Sequence, residues 1–388
     1  MSKTVVVIIP TYNEQANIVP VVRELARVFR QIKSFNFHIL FVDDNSPDGS
    51  AKVISTEIKR HAHIRLLSNK RKGGLGHAYK KGMRYAIQKL HADIIVQFDG
   101  DLSHDPNKLP AMLDKIEGGS DMVLGSRYMR GGGIPPHWPP DRKFLSIVGN
   151  LFIRLVMFNF KVHDWTTGYR VITKELVEKI LPVLRHSAFN GYTWQIGFLV
   201  KSIQAGFKVD EVPFVFKDRT EGHSKLGPEY IFNTVRYIMK VRIEEILRNR
   251  LVKFALTGGT GAVIQLVTLE LYRNFAPFQL AFFLAIETAI LSNFTLSNLW
   301  TFSDRKLKLA QVPAKFLTFN LTSGGSILIQ QLIAFLGEKY IGLLPLFTLP
   351  IINFKVDTGT MYAVAGIFMG MFWNFFAYSK IIWKAKTK

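Results

Sequence analysis

The sequence predicts an α/β domain with a mostly parallel sheet of nucleotide-binding type, followed by an α-helical membrane domain. Three observations predict it. Short apolar, β-branched runs alternate with amphipathic helical patterns through the first half, as parallel strands joined by helical crossovers require. The runs end repeatedly in carboxylates, and open α/β sheets place their ligands at the carboxyl ends of their strands. From Leu251 onward long apolar stretches alternate with short basic ones, a shift that marks a domain boundary.

The bulk properties agree. A chain of 388 residues suits two or three domains. A formal charge of +21 with 48% hydrophobic residues fits an anionic membrane surface or nucleic acid better than a free cytosolic enzyme. Nucleic-acid binding explains the charge but not the apolar stretches, so no nucleic-acid partner is expected. Cysteine is absent, which excludes disulfides and thiol catalysis. Met1 to Lys3 lead directly into the first strand, so the N-terminal domain is expected to be made and kept on the cytoplasmic side.

Thr4 to Ile9 form the first strand, closed by Pro10, and Asn13-Glu14 open a helix carrying Ile18, Val22, Leu25 and Phe29. The second strand, Phe37 to Val42, ends in Asp43-Asp44-Asn45-Ser46-Pro47-Asp48-Gly49. A third, near Ile64 to Ser68, leads into Lys72-Gly73-Gly74-Leu75-Gly76 ahead of a helix to about Leu90. This segment is either a phosphate cradle or a plain glycine-rich loop, since it matches neither the dinucleotide fingerprint nor the P-loop. The fourth strand runs from Ile94 into Asp99-Gly100-Asp101-Leu102-Ser103. Carboxylates there suit Mg²⁺ or Mn²⁺, which is usually held by one or two carboxylates plus substrate phosphates; the bland alternative is a polar turn.

A strand from Asp121 ends in Gly125-Ser126-Arg127-Tyr128, with Trp138, Arg142 and Ser146 beyond it. Arginines at such a rim suggest a bidentate anion clamp, against the alternative of a surface ion pair. Asp164 to Arg170 and Gly191 to Gln195 set polar groups beside aromatics, which suits a sugar or a core. After a strand from Lys208 to Phe216, the basic segment Arg219 to Lys225 reads as a lid over a diphosphate or as a solvated loop. Residues 229–250 form a basic amphipathic pattern suited to an anionic bilayer surface, and Phe144 to Phe160 is a second candidate for that interface.

Four apolar stretches, Val252 to Leu271, Phe278 to Trp300, Phe316 to Leu336 and Met361 to Trp383, each reach the roughly 20 residues that span a bilayer. Arg305, Lys306, Lys308 and Lys315 fill one loop, and Lys384, Lys386 and Lys388 follow the last stretch. The positive-inside rule puts these, the N-terminal domain and both termini in the cytoplasm. No intramembrane charge cluster marks a transport path. Asn293 and Asn374 are expected to face other helices and hydrogen-bond there.

Val6 to Glu14, Val42 to Gly49, Asp99-Gly100-Asp101, Gly125 to Tyr128 and Ser224-Lys225 occur together in this order. The set resembles the polyprenol-phosphate (dolichol-phosphate) mannosyltransferases of glycosyltransferase family 2, over residues 4 to 230. The apolar helices resemble a GtrA-type membrane domain through Lys253-Phe254, Lys315-Phe316, Asn293-Phe294 and Asn374-Phe375. The resemblance implies a Rossmann-like GT-A catalytic domain over residues 1–228, an interface segment over 229–250 and a four-helix membrane domain over 251–388. It also implies a GDP-mannose donor, a polyprenyl or dolichyl phosphate acceptor, membrane lipids as partners and Mg²⁺ or Mn²⁺ as cofactor, with room for a homo-oligomer.

Carried over by position, Pro10, Tyr12, Glu14, Val42 and Asp44 hold the nucleotide, with Asp44 at the ribose. Asp99 and Asp101 bind metal and diphosphate, joined by Ser103 where some members have glutamine. Arg127, Arg142 and Ser146 clamp the acceptor phosphate, and Arg219 and Lys225 close over the diphosphate. Asp101, Arg127, Arg142 and Ser146 are thus the expected catalytic group. Gly197 departs from the acidic residue expected shortly after Gln195. A lipid phosphate is already anionic, so catalysis is mainly positioning and charge, and direct displacement inverts the anomeric centre. The competing readings are a UDP-glucose-dependent polyprenyl-phosphate glucosyltransferase and a lipid-carrier flippase with a regulatory soluble domain.

Overall fold

In the computed structural model, which describes residues 2–184, 193–218, 228–303, 306–349 and 354–377, the β-branched run that opens the chain is strand β1 (Lys3–Thr11). Its Val5 to Ile9 are fully buried, because β1 lies inside a sheet covered on both faces. Alternate residues serve the two layers: Val5, Val7 and Ile9 pack with Val21, Val22 and Leu25, while Val6 and Ile8 pack with Tyr79, Met83, Trp194 and Phe198. Burying a Val or Ile side chain stabilises by roughly 1.5–3 kcal/mol, so this one strand anchors both layers.

The remaining strands are β2 (Phe35–Asp43), β3 (Ile64–Ser68), β4 (Ile94–Gln97), β5 (Met122–Ser126), β6 (Arg170–Thr173) and β7 (Val209–Pro213), in the spatial order β3-β2-β1-β4-β6-β5-β7. All run parallel except β6, which is antiparallel to both β4 and β5. The mostly parallel sheet matches expectation, and β6 is the strand the sequence reading omitted. It is four residues long and opens on an arginine, so it carries neither the length nor the composition of a buried strand. Helices α1 (Ile18–Phe29), α2 (Ser50–Arg60), α3 (Leu75–Leu90), α4 (Leu109–Glu117), α5 (Pro140–Met157), α6 (Lys174–Ile180) and α7 (Thr193–Gln204) complete this unit.

Helix α3 approaches the sheet closely at Gly82, where a Cβ would lie 2.8 Å from Ile8 Cγ2 and 3.0 Å from Val42 Cγ2. Gly82→Val therefore overpacks the α3 layer and is expected to destabilise the protein toward the upper end of about 1–3 kcal/mol. The thermal unfolding midpoint of the detergent-solubilised protein checks it.

The chain divides into two units, Met1–Arg242 and Ile243–Lys388, and the division falls within helix α8 (Pro228–Arg248). The second unit contains α9 (Arg250–Tyr272), α10 (Phe278–Leu296), α11 (Val312–Tyr340) and α12 (Thr358–Ala377). Among the described residues three helical segments are long and apolar enough to cross a membrane, Val252–Tyr272, Phe278–Thr301 and Leu309–Tyr340. The fourth expected stretch is helical as α12, and its remainder lies outside the described residues.

Two features correct the sequence reading. The unit is not wholly helical: Pro345 lacks the N–H that would continue a helix, and β8 (Pro345–Leu349) pairs antiparallel with β9 (Phe354–Asp357) ahead of α12. Within the bundle Asn293 faces Gly261 of α9, as expected of an intramembrane asparagine, but its Oδ1 is buried without a hydrogen-bond partner among the described residues. The Asn374 side chain lies outside the described residues. A hydrogen bond of 2.8 Å from Gln265 to Gln330 and one of 2.6 Å from Asn320 to Glu287 place polar pairs, one with a carboxylate, inside the spans. Unmatched polar groups are costly there, so the amides bridge helices instead of facing lipid.

Candidate active site

The parallel strands send their carboxyl ends to one rim of the sheet, and β6, running the other way, begins there, with Gln97 of β4 opposite Arg170 of β6. The rim therefore gathers the segments after β1, β2, β4 and β5 and the segment before β6.

At the β1/β2 side, Pro10 pairs in register with Val42, whose side chain is fully buried in the core and leaves only backbone for a ligand. Asn13 and Asn45 take left-handed conformations, φ 56° and 63°, which asparagine tolerates, and Asn13 N–H donates to Ser46 Oγ at 3.1 Å. Glu14 Oε2 accepts from Asn17 at 2.8 Å, and Lys72 Nζ lies 3.8 Å from the centre of the Tyr12 ring. Asp48 accepts from Ser50 and from the Gln15 N–H; burial works to raise its pKa, but these hydrogen bonds hold the carboxyl below its ordinary value.

Asp44 decides between the two readings of the glycine loop. Its carboxylate accepts the N–H of Gly73 at 2.9 Å, that of Gly74 at 2.8 Å and the Asn69 amide at 2.8 Å. The two backbone amides best placed to cradle a phosphate thus hold a protein carboxylate. The loop is fastened to β2, and any hydroxyl that donates to Asp44 has to share its carboxylate with these donors.

After β4 the chain turns sharply at Leu102, φ 57°, and folds back on itself. Asp101 Oδ1 accepts the Ser103 N–H at 3.1 Å, and the Asp99 N–H donates to His104 Nδ1 at 3.0 Å. Asp101 is buried and Asp99 is partly open to solvent. Ser103 Oγ is buried with no hydrogen-bond partner among the described residues. Among those residues no three His, Asp or Glu side chains form a ready-made metal cluster. Two carboxylates and an unpartnered hydroxyl nonetheless fit a hard divalent cation that draws its other ligands from substrate and water.

Arg127, at the end of β5, is bound by Asp164 in a fork: Nε donates to Oδ2 at 2.7 Å, Nη2 to Oδ1 at 2.9 Å, and the backbone N–H to Oδ2 at 3.1 Å. Asp164 is fully buried and Arg127 is nearly so. Burial penalises both charges, but each partner more than offsets it, so the Asp164 carboxyl is held below its usual range and the Arg127 guanidinium above its own. The Asp164 loop is fixed in turn by Glu211 of β7, which accepts from the backbone N–H groups of His163 and Asp164.

Arg142 of α5 stacks 3.8 Å over Trp138 and reaches Asp218 at 3.5 Å, a looser engagement. Phe216 lies 5.7 Å from Arg127 and 5.6 Å from Trp138, so the two arginine assemblies share one aromatic wall. Ser146 is joined to the Tyr128 hydroxyl by a short hydrogen bond. Arg219 and Lys225 lie outside the described residues, as do Gly191 and Tyr192. Gln195 and Gly197 belong to the buried helix α7, and the Gln195 amide packs against Gly168 beside Asp99.

Sequence reasoning gave none of four participants its role, although it set Asp164 and Arg170 among polar groups beside aromatics. Asp164 precedes a strand too short to notice, Asp218 precedes the basic segment, and His104 stands five residues beyond Asp99. Arg170 is fully buried, with Nη1 and Nη2 lacking partners among the described residues, and burial pushes its pKa down to about 9. A carboxylate just before the next strand could have flagged Asp164 as the partner of the arginine ending β5.

Residues 6–181 match glycosyl transferase family 2, and residues 253–383 match the GtrA/DPMS transmembrane domain. The chain is 31% identical over 344 residues to the dolichol-phosphate mannosyltransferase of Pyrococcus furiosus, covering 86% of this chain and 92% of that one. It is 36% identical over 222 residues to the polyprenol monophosphomannose synthase of Mycolicibacterium smegmatis, covering 57% and 80% respectively. With the undecaprenyl-phosphate mannosyltransferase of Micrococcus luteus it shares 33% identity over 251 residues, covering 64% and 98%.

Proposed function

The chain belongs to the polyprenol-phosphate mannosyltransferases of glycosyl transferase family 2, joined to a GtrA/DPMS transmembrane domain, and we propose that it transfers mannose with inversion from GDP-mannose to a membrane polyprenyl phosphate, giving polyprenyl β-mannosyl phosphate. It is an enzyme and a membrane protein. The observation that carries the detailed reading is the gathering, at one sheet rim, of the Asp99/Asp101 loop after β4 and Arg127 at the end of β5, the two strands that flank β6.

In this reading Pro10, Tyr12, Glu14, the Val42 backbone and Asp44 receive the guanosine. Asp99, Asp101 and Ser103 hold Mg²⁺ or Mn²⁺, which when bound offsets negative charge on the leaving diphosphate. Arg219 and Lys225 close over that diphosphate. Arg142 and Ser146 orient the lipid phosphate so that its oxygen faces the anomeric carbon, and a nucleophile that is already anionic needs no strong base. Arg127 acts from a neutralised pair with Asp164, so it contributes directed N–H groups more than net charge, and Arg142 is the less committed cation.

The acceptor arrives in a bilayer, and α5 is suited to meet one. Phe144, Leu145, Val148, Leu151 and Leu155 are exposed along it, beside Arg142, Lys143 and Arg154. Such a basic helix with an apolar face lies in a membrane interface. Four spans, with the catalytic domain and both termini on the cytoplasmic side, follow from the same reading.

The test is transfer of radiolabelled mannose from GDP-mannose to polyprenyl phosphate by the purified full chain with Mn²⁺, run beside UDP-glucose at equal concentration. Mannosyl lipid formation at least tenfold above glucosyl lipid is expected. Equal or preferential glucosyl transfer overturns the donor assignment, and no transfer from either donor overturns the reaction.

A further inference from the structure

We propose that His104 is a positioning residue for the divalent cation, holding Asp99 in the orientation that lets it share the ion with Asp101. The inference rests on the reading that Asp99 and Asp101 are metal ligands. It adds a residue from outside the donor set, one that touches neither the ion nor substrate.

The geometry is that of a clamp on a single residue. His104 Nδ1 accepts the Asp99 backbone N–H at 3.0 Å, and a ring nitrogen that accepts carries no proton. The neutral ring then bears its hydrogen on Nε2, which lies 3.4 Å from Asp99 Oδ2. One imidazole therefore meets both the main chain and the carboxylate of Asp99. Partners that orient a metal ligand in this way typically alter affinity about 10–100-fold when removed.

The ring is itself held. It stacks on Tyr169 with centroids 4.9 Å apart and planes 10° apart, and stands edge-on to Phe98 at 5.5 Å and Phe214 at 5.9 Å. Tyr169 is pinned by a 3.1 Å hydrogen bond from its hydroxyl to the Asp105 carbonyl. On the remaining side Gly168 leaves just enough room: a Cβ there would lie 3.4 Å from His104 Cε1 and 3.5 Å from Asp99 Oδ2. The left-handed turn at Leu102 brings residue 104 back to residue 99. Ser103 is a weaker donor than a carboxylate, so the ion depends more heavily on how well the two aspartates are preset.

Mn²⁺ binding to the full chain, followed by electron paramagnetic resonance without substrate, tests this. His104→Phe keeps an aromatic ring in the stack and removes the hydrogen bond to the Asp99 main chain and the 3.4 Å contact with its carboxylate. Its Mn²⁺ dissociation constant is expected to rise about 10–100-fold, while the unfolding midpoint and GDP affinity in EDTA stay at wild-type values. His104→Asn, whose amide can still accept from the Asp99 N–H, is expected to recover part of the loss. Should the phenylalanine protein not fold, His104→Leu, which also removes both contacts to Asp99, stands in with the same expectation. Mn²⁺ affinity within twofold of wild type in His104→Phe, or in His104→Leu where that variant stands in, overturns the proposal. So does a loss matched by equal loss of stability and of GDP affinity in EDTA. Asp101→Ala separates the two levels: if it binds Mn²⁺ as wild type does, the metal reading itself fails, and if it alone loses the ion, only the role of His104 fails.

Discussion

Asp101→Ala is expected to abolish metal-dependent mannosyl transfer, with kcat falling by about 10³-fold, the upper range for removing one preorganised electrostatic group. Asp101 is buried behind a sharp turn, and its Oδ1 already orients the Ser103 backbone. Its loss removes a proposed metal ligand and the acceptor of the Ser103 N–H together. Single-turnover transfer across a Mn²⁺ titration checks it, and full activity in this variant refutes the assignment of the loop as a metal site.

Asp164→Ala is expected to be the most destabilising single change at the site. It leaves the nearly buried Arg127 guanidinium without its carboxylate, and breaking a buried pair from one side costs about 3–5 kcal/mol. Denaturation of the purified protein measures it, with loss of transfer as the parallel readout. The same pair predicts an acid dependence. The Asp164 carboxyl has a folded-state pKa below its unfolded value. Its contribution to stability is therefore complete above about pH 4, the unfolded range, and is lost as pH falls through the folded value. Asp164→Asn, which keeps the shape and drops the charge, should flatten stability against pH in that acid window. An unchanged slope counts against the pair as its source.

The architecture was legible where local pattern and global fold agree. Val5 to Ile9 and Ile94 to Val96 read as buried strands because both faces of the sheet are covered, and the apolar stretches from Val252 onward could hardly be anything but long helices. What escaped depended on pairing between distant residues. Strand β6 is recognisable only from its neighbours β4 and β5, and β8 and β9 pair within the segment between the third and fourth apolar stretches, to which the sequence assigned no element.

The candidate site divides the same way. Motif spacing picked out Asp99, Asp101, Arg127 and Arg142, but not the groups that hold them. Asp164 lies 37 residues from Arg127, and Gly73 lies 29 from Asp44, separations that no short pattern reports. His104 is close in sequence, yet its grip on Asp99 depends on one left-handed residue, Leu102, which ordinary preference would not assign to leucine.

The reversed strand also sets an order in time. Among the described residues β5 pairs with β6 and β7, both later in the chain, so the place of Arg127 in the sheet depends on segments made after it. The segment that supplies β6 carries Asp164 just ahead of it. The pairing of β5 with β6 that seats Arg127 in the sheet therefore joins the same two segments as its ion pair with Asp164, so one long-range contact serves both.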